Sequence, residues 1–449
     1  MRLTAWLPLA VLSAFTALGA ATRPHYGGTL RVEVRAAPAS LDPGAPDAAL
    51  LASLVFEPLL QLDATGTPLP RLALSWQRDS SAKRWQFNLR PGVRFHDGLP
   101  LVPGAVAASL QAALPGLSVS AAADSVIIHA EHPMPGLLFD LAHNGLVFAH
   151  NAEGGLTGTG PFRLASWTPG RTAAFTANDD YWGGRPFLDA IEVQMGRGLR
   201  DQLVDLEIGK ADVVELAPAD LRRASERGGT VWSSAPLDLI ALVVAPGRAE
   251  DSRVRQALAL SIDRATMHSV LLQKQGEASA ALLPQWLSGY AFTFAAAPDV
   301  TRAQALAAAL PPRERTLALA YDPAITAARS LAERVAINAR DAGLTVQVSP
   351  QNPQADLRLV AIRVPSLDPP RALAGLAAAL GLETTGPALS VEVLYESERK
   401  LLEDFRVIPL FHLPDLYGAA SRVHAFAPPP IARLGEWRFD NLWLSGTAP

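Results

Sequence analysis

The most regular pattern of apolar and polar positions lies in residues 316–348. Thr316–Tyr321 alternates like a buried strand, and Asp322 followed by Pro323 is typical of a helix start. Apolar residues then recur at helical spacing, at Ala328, Leu331, Val335 and Ala342. Gly343 ends this helix, and a second strand follows with apolar residues at Leu344, Val346 and Val348. A strand, a helix and a strand of these lengths predict a parallel pair within an α/β lobe.

Three other segments have clear patterns. The stretch "GGTLRVEVRA" alternates and predicts a strand near the start of the chain. The stretch "KRWQFNLRPGVRF" predicts a hairpin in which Arg84–Leu89 is the first strand and Pro91-Gly92 the turn. The stretch "DSRVRQALALSIDR" predicts an amphipathic helix with Asp251 or Ser252 as its N-terminal cap.

The pair His96-Asp97 follows the predicted hairpin. Asp97-Gly98 is a turn sequence, because Asp can bond its own backbone and Gly accepts a positive φ. A His beside an Asp could also begin a catalytic or metal site. Since adjacent strand residues point to opposite faces of a sheet, the dipeptide alone cannot form a triad, and the pattern favours a scaffolding role.

Composition narrows the class of protein. The 449 residues are 49% apolar and carry a formal charge of -4 without a basic block, so we expect a globular protein of two or three domains with no nucleic-acid partner. The chain has no cysteine. A disulfide, a thiolate metal site, a catalytic cysteine and lipid attachment through cysteine are therefore excluded.

The first residues predict a secretory signal peptide. Arg2 supplies a positive charge, Leu3–Leu18 is a mostly apolar run, and small residues follow at Gly19, Ala20 and Ala21. Polar residues and a proline interrupt the run, which falls short of the roughly 20 apolar residues that span a bilayer. We expect cleavage near Ala21 and a mature protein in the periplasm, without a lipid anchor.

Seven segments in the same order resemble one protein family. They are "GGTLRV" with "SLDP", "LVFEPLLQLDATGTPLPRLALSWQ", "WQFNLRPGVRFHDGLPL", "GTGPFRLASWTPG", "NDDYWGGRPFLDAIEV", "RVRQALALSIDR" and "VIPLFHLPDLYG". They are similar to family 5 of the bacterial extracellular solute-binding proteins, the periplasmic dipeptide-, oligopeptide- and nickel-binding components of ABC importers.

This resemblance implies an α/β, two-lobed periplasmic-binding-protein-like fold with an extra smaller domain inserted in the first lobe. After a signal peptide at 1–21, the implied parts are a base lobe (25–52, 158–239 and 405–449), an inserted domain (53–157) and a second α/β lobe (240–404). We expect the hinge at chain crossings near Ala245 and Phe405.

The resemblance also implies a function without catalysis. The two lobes would close over a small solute, either a peptide or another compound. The protein would then deliver this solute to the permease subunits of an ABC importer. We expect a monomer, no cofactor and no enzyme activity, since no Gly-x-Ser-x-Gly elbow, His-Glu-x-x-His helix or phosphate-cradling Gly-Lys loop is present. The alternative is a ligand-sensing or interaction protein of the same fold that no longer serves transport.

Several departures from the family pattern bear on the solute. Peptide binders carry a Trp-x-x-Asp-x-x-(Asp or Glu)-Pro run whose first Asp meets the peptide amino group. Aligned on Asp368, this chain has Ile362 at the Trp position and Pro365 at that Asp position. The segment that begins at Val102-Pro103 is also a poor helix start. The sequence therefore supports the two-lobed architecture more strongly than it supports a peptide as the solute.

Six residues are candidates for contacting the solute. They are Ser40 and Asp42 in the loop after the first strand, Trp286 and Tyr290 in a loop interrupted by Pro and Gly, and Arg363 and Asp368 near the altered amino-group position. Arg363 could clamp a carboxylate or phosphate. For the two aromatic residues the pattern favours core packing, and for Arg363 a surface position is an equally simple interpretation.

Histidines raise a weaker possibility of a metal site. They cluster at His129, His132, His143 and His150. Imidazole is a common metal ligand. Strand and loop patterns account for these residues without one, and we expect no metal.

Overall fold

A computed structural model of the chain describes residues 23–43, 45, 48–63, 66–114, 116–134, 136–142, 146–152, 155–291, 293–383, 390–426 and 438–446. The predicted signal peptide, 1–21, lies outside the described residues. The strands are β1 (Thr29–Glu33), β2 (Leu60–Leu62), β3 (Pro68–Pro70), β4 (Ala73–Arg78), β5 (Arg84–Leu89), β6 (Ser118–Ala121), β7 (Ser125–His129), β8 (His150–Ala152), β9 (Gly155–Thr157), β10 (Phe162–Thr168), β11 (Thr172–Ala177), β12 (Ala190–Gln194), β13 (Val213–Glu215), β14 (Thr230–Ser233), β15 (Asp238–Val244), β16 (Glu277–Ala278), β17 (Thr316–Tyr321), β18 (Thr345–Pro350), β19 (Leu357–Arg363), β20 (Val407–Leu413), β21 (Leu416–Ala419), β22 (Val423–His424) and β23 (Trp443–Leu444). The helices are α1 (Ala49–Ala52), α2 (Pro103–Ala113), α3 (Leu137–Leu141), α4 (Leu199–Glu207), α5 (Leu221–Glu226), α6 (Ser252–Ser261), α7 (Arg264–Val270), α8 (Gln285–Ser288), α9 (Val300–Ala308), α10 (Ala328–Asp341), α11 (Pro369–Ala379) and α12 (Val391–Leu402).

The base lobe is built on one mixed sheet. Seven of the described strands form it in the order β10-β11-β12-β1-β13-β21-β14. β1 is parallel to β12 and β13, while the remaining pairs are antiparallel. Leu30, Val32 and Val34 are buried in the core of this lobe, as the alternation of the first strand predicts.

The second lobe has its own sheet, in the order β16-β20-β15-β19-β17-β18 among the described strands. β17 and β18 are parallel, with Thr316 opposite Thr345, and the predicted strand-helix-strand unit is confirmed. The helix start was predicted wrongly. Asp322 accepts a hydrogen bond from Ala324 N (2.9 Å) in a separate turn, and α10 begins only at Ala328, after Ala327 with φ 60°. The side chain of Asp322 closes its own turn, so residues 322–327 are a loop.

The inserted part contains a small sheet, β4-β5-β7-β6, covered by α2. The predicted hairpin is wrong, because β5 pairs with β4 and β7 rather than with the segment after Pro91-Gly92. Val93 and Phe95 of that segment are nevertheless buried in the core. Their apolar alternation reflected burial and not strand pairing. α2 begins after Val102 without a side-chain cap, as its sequence predicts.

The chain passes between the two large sheets at residues 234–237 and 414–415. These crossings differ from the hinge positions expected near Ala245 and Phe405. The reason is that β15 and β20 pair with each other inside the second sheet, so the chain crosses before β15 and after β20. Residues 407–413 accordingly belong to the second sheet and not to the base lobe.

The inserted domain packs against the second lobe. Leu141 and Phe148 belong to the same buried apolar cluster as Leu373 of α11, and Arg371 forms an ion pair with Asp140. Base lobe, inserted domain and second lobe are thus in contact around the crossings. None of the helices in the described residues combines the length and apolar character needed to cross a bilayer.

Candidate functional site

A cavity of about 230 Å³ lies between the two large sheets beside the crossings. We call it the interlobe cleft. Both lobes line it, through Arg35, Glu215, Leu216, Pro218, Asp238, Ile240, Gln275, Ala324, Ile325, Thr326, Ala361, Leu413, Pro414, Asp415, Leu416 and Tyr417. An adjoining, more open cavity of about 490 Å³ shares Ile325 and Ala361 with it and extends along the second lobe. Together they offer room for a small solute.

Arg35 connects the two lobes across the cleft. It lies just beyond β1, where its backbone N donates to Glu215 Oε2 at 2.5 Å and its Nε lies 3.5 Å from the same carboxylate. From the other lobe, the loop after β17 presents Thr326 Oγ1 and Ala324 O, which accept from Arg35 Nη1 at 3.1 and 3.3 Å. The loop that replaces the expected start of α10 therefore supplies the cleft's second wall.

Arg363 lies behind the cleft, at the end of β19, between two carboxylates. Its Nε donates to Asp238 Oδ1 at 3.0 Å, and its Nη2 donates to Asp415. Asp415 is in the second crossing, where its backbone N donates to Ser234 Oγ of the first crossing at 2.9 Å. This cluster joins both crossings to the second sheet, which fixes the cleft beside the crossings.

The cluster shifts the protonation of Asp238. Burial raises the pKa of Asp238 to about 6, the neighbouring Asp415 carboxylate adds to the rise, and Arg363 opposes it. The pKa of Arg363 lies above its ordinary value because the two carboxylates outweigh the effect of burial. Asp238 therefore changes charge in mildly acid solution, while Arg363 stays a cation.

The charges around the cleft are unequal. Three carboxylates, from Glu215, Asp238 and Asp415, face two guanidinium groups, from Arg35 and Arg363. The guanidinium groups are already hydrogen-bonded to protein acceptors. Positive charge on a solute is thus better matched here than negative charge.

The six candidate residues from the sequence do not line this cavity. Ser40 Oγ accepts from the backbone N of Asp42 at 3.4 Å, within the loop after β1. Asp368 caps α11, accepting from Arg371 N at 3.3 Å. Arg363 contacts two lining residues, Asp238 and Asp415, and these carboxylates occupy the fork that was expected to clamp an anion. Its predicted role is replaced by one of holding the cleft carboxylates.

The two aromatic candidates support the lobe from outside the cleft. Trp286 Nε1 donates to Pro236 O of the first crossing at 3.2 Å. Tyr290 donates its hydroxyl to the buried Glu398, and burial raises the pKa of Tyr290 above its ordinary value. The ring of Tyr290 also packs edge-on against Tyr395, with 5.3 Å between centroids. Tyr290 is packed against the buried apolar cluster, whereas Trp286 is exposed over 38% of its surface.

Sequence reasoning missed the residues that do line the cleft. Arg35 ends the first predicted strand and Asp415 follows the proline of "HLPDLYG", so both stood where a strand ends, which is a usual place for site residues. Asp238 and Thr326 carried no such signal. Asp238 was hidden at the start of an apolar strand, and Thr326 was assigned to a helix that begins two residues later.

The histidines stay outside this site. His96 Nε2 lies 2.9 Å from Gly160 O, and burial lowers the pKa of His96 to about 4, so it is a neutral donor in the scaffold. Asp97 Oδ1 accepts from Leu99 N in the predicted turn, and its Oδ2 pairs with His150 at 2.8 Å. The described residues contain no group of three His, Asp or Glu that could hold a metal, and His143 lies outside them.

Known proteins resemble this chain over most of its length. Residues 67–361 match the family described as bacterial extracellular solute-binding proteins, family 5 Middle. The probable D,D-dipeptide-binding periplasmic protein DdpA of Escherichia coli K12 is 24% identical over 249 residues, which are 49% of this chain and 48% of that protein. The nickel-binding periplasmic protein of the same organism is 24% identical over 258 residues, 49% of each chain. The chain thus spans about half the length of these curated relatives.

A solved structure extends the likeness of the fold. The ABC transporter-associated periplasmic binding protein DppA from Helicobacter pylori, in complex with peptide STSA, superposes with a TM-score of 0.79 at 16% identity. The superposition covers 94% of this chain and 99% of that one. The two-lobed α/β architecture expected from the sequence is confirmed. With the family matched over residues 67–361, the chain belongs to the bacterial extracellular solute-binding proteins of family 5.

Proposed function

We propose that this protein captures a small solute in the interlobe cleft and presents it to the permease of an ABC importer in the bacterial envelope. The observation that carries the proposal is the cleft itself, a cavity beside two chain crossings with charged residues contributed by both lobes. Family membership supports binding as the function and not catalysis.

Closure of the cleft is the step on which binding acts. Arg35 of the base lobe donates hydrogen bonds to Thr326 and Ala324 of the second lobe, so the two lobes already share direct contacts without a solute. A solute adds to closure only by the amount that it prefers the closed cleft over the open one. The permease would then distinguish the closed, loaded shape from the empty one.

The charges favour a solute with a protonated amino group. The cleft has three carboxylates and two guanidinium groups, so its negative charges outnumber its positive charges by one. The family's amino-group Asp is replaced by Pro365, and the Asp238 and Asp415 pair would take over that interaction from another part of the lobe. A dipeptide-sized cationic or zwitterionic compound fits both the charge and the size of the cavity.

The solute can be identified directly. Native mass spectrometry of protein purified from its host, followed by denaturation, should release a small compound with a protonated amine. A thermal-shift panel of dipeptides, diamines, sugars, opines and metal chelates should raise the melting temperature only for cationic or zwitterionic members, because a ligand that binds only the folded form stabilises it. Stabilisation restricted to sugars or dicarboxylates would refute the charge argument.

Transport is tested separately from binding. If the gene is deleted, uptake of the identified solute should fall while uptake of an unrelated amino acid stays unchanged. Unchanged uptake of a solute that the purified protein binds would refute the transport function and favour the ligand-sensing alternative. The Asp415→Asn variant is the matched test of the cleft, since it keeps side-chain size and removes one of its negative charges.

A further inference from the structure

A second cavity lies in the second lobe, at the opposite end of β20 from the interlobe cleft. It measures about 320 Å³, within the range of small-molecule pockets. We call it the Arg264 pocket. Ile408 and Pro409 at the start of β20 line it, whereas Leu413 at the other end of that strand lines the cleft. At the usual rise per residue the two sites are about 17 Å apart along the strand.

Arg264 is the buried charge of this pocket. Its exposed fraction is 4%. Its Nε donates to Pro409 O at 2.9 Å and its Nη1 to Ala296 O at 3.4 Å, both backbone carbonyls. Among the described residues no carboxylate forms an ion pair with it, and burial alone lowers the pKa of Arg264, to about 10. At neutral pH it is therefore a buried cation without a counter-ion.

The rest of the pocket separates into apolar walls and a charged rim. Phe294, Leu402 and Ile408 are among the apolar lining residues. At the rim, Arg399 of α12 pairs with Glu396 at 2.9 Å, and Glu403 follows the end of that helix. The rim thus carries one arginine and two glutamates, and both of its lining charges are exposed. Arg264 is the buried charge among the residues that line the pocket.

A purely structural role accounts for only part of this arrangement. Two backbone carbonyls use two of the five N–H groups of Arg264, and neither carbonyl neutralises its charge. A buried unpaired charge is costly, and an anionic partner in hydrogen-bond reach removes most of that cost. We propose that the Arg264 pocket binds a small molecule with a carboxylate head and an apolar body, independently of the solute in the interlobe cleft.

The test uses octanoate as the probe, with octanol and octylamine as probes of equal chain length and different charge. Calorimetric titration of the full-length protein should give saturable octanoate binding at a stoichiometry of one. Octanol should bind at least tenfold more weakly, and octylamine should not bind, because the pocket supplies a single positive charge inside apolar walls. Equal affinity for octanoate and octanol would overturn the proposal.

Two variants locate the binding. Arg264→Met should weaken octanoate about ten- to a hundredfold, the usual size of a lost charge-assisted hydrogen bond. Because this variant can also fail to fold, Ala280→Leu provides a second test. It fills the wall of the pocket and leaves Arg264 in place. Octanoate binding should fall at least tenfold in a protein with wild-type circular dichroism.

Arg329→Met is the matched control for loss of an arginine, since Arg329 is exposed on α10 and outside the pocket. It should bind octanoate as the wild type does. Wild-type affinity in Ala280→Leu would show that octanoate binds elsewhere and would overturn the assignment. Equal weakening by Arg329→Met and Arg264→Met would do the same, because it would indicate a general effect of net charge.

Discussion

Replacing Glu57 should loosen the junction between the base lobe and the inserted domain. The side chain is fully buried. Its Oε1 lies 2.7 Å from Arg71 Nε and accepts from Tyr181 OH at 2.9 Å. Its Oε2 accepts from Thr159 Oγ1 at 2.8 Å and from Trp182 Nε1 at 2.9 Å. One carboxylate thus serves four donors from three separate stretches of chain.

The cost of Glu57→Ala follows from what is left behind. The buried guanidinium of Arg71 would keep only the more distant Asp440 carboxylate, 3.9 Å from its Nη1, and loss of one partner of a buried ion pair costs about 3–5 kcal/mol. Three neutral donors would also lose their acceptor, so the surrounding side chains could not fill the space left by Glu57 without leaving buried donors unpaired. We expect a loss of about 4 kcal/mol. Glu57→Gln keeps the shape and an acceptor oxygen and should cost less, about 2 kcal/mol.

Amide hydrogen exchange is the suitable assay, because it gives local opening free energies in a protein of several lobes. In Glu57→Ala, exchange should accelerate in β4 and β5 and around residues 178–182, and much less in the second sheet. Glu226→Ala is the control. That glutamate is exposed and, among the described residues, pairs with Arg222 of its own helix, so its loss should cost under about 0.5 kcal/mol.

The reasoning fails if Glu57→Ala exchanges like Glu226→Ala. A cost below about 1 kcal/mol would mean that water or a rearranged Arg71 replaces the carboxylate. Uniform acceleration in all sheets would also contradict it, since the network contacts the junction and not the second sheet.

Three further predictions concern the cleft and the second sheet. Burial raises the pKa of Asp238 to about 6 from 3.8, so the native state binds the proton more tightly than the unfolded chain does. Protonation of Asp238 therefore stabilises the native state at low pH, and this stabilisation is lost as the pH rises from about 4 to 6. Urea titrations should show the wild type losing up to roughly 1 kcal/mol per pH unit relative to Asp238→Asn, and parallel curves would contradict the shift. Arg35→Ala removes two hydrogen bonds across the cleft and should weaken binding of the cleft solute about threefold to fivefold. The same variant should increase the radius of gyration measured by X-ray scattering. An unchanged radius would show that Arg35 does not hold the lobes together. Gly276→Ala should lower the free energy of unfolding by at least ~3 kcal/mol in thermal unfolding, because φ is +74° and a Cβ would lie 2.2 Å from His412 O. Gly92→Ala is the control, since Gly92 has a similar φ of +76° but open space around it, and it should cost about 1 kcal/mol. Equal costs would refute the steric argument.

Local pattern was sufficient for several elements. The alternation and helical spacing in residues 316–348 predicted β17, α10 and β18 and their parallel pairing. The turn at Asp97-Gly98 followed from local backbone chemistry. Such features depend on residues close together in the chain, so a single sequence contains them.

The motif segments that revealed the family also converge in space. Glu57 and Arg71 come from one motif segment and Thr159 and Tyr181 from two others, and they meet at one buried carboxylate. The sequence showed their order but not their contact. Only the tertiary structure shows that these residues together join the inserted domain to the base lobe.

By itself the sequence determined the fold class, the family and the elements whose periodicity is regular, because burial of one face imposes that periodicity along the chain. The tertiary structure alone decided where the lobes cross, which strands Arg84–Leu89 pairs with, and which carboxylates line the interlobe cleft. Those features depend on residues such as Arg35 and Thr326, which are 291 positions apart, lie on different lobes and meet only in the folded chain. No periodicity in a single chain encodes such a distant contact.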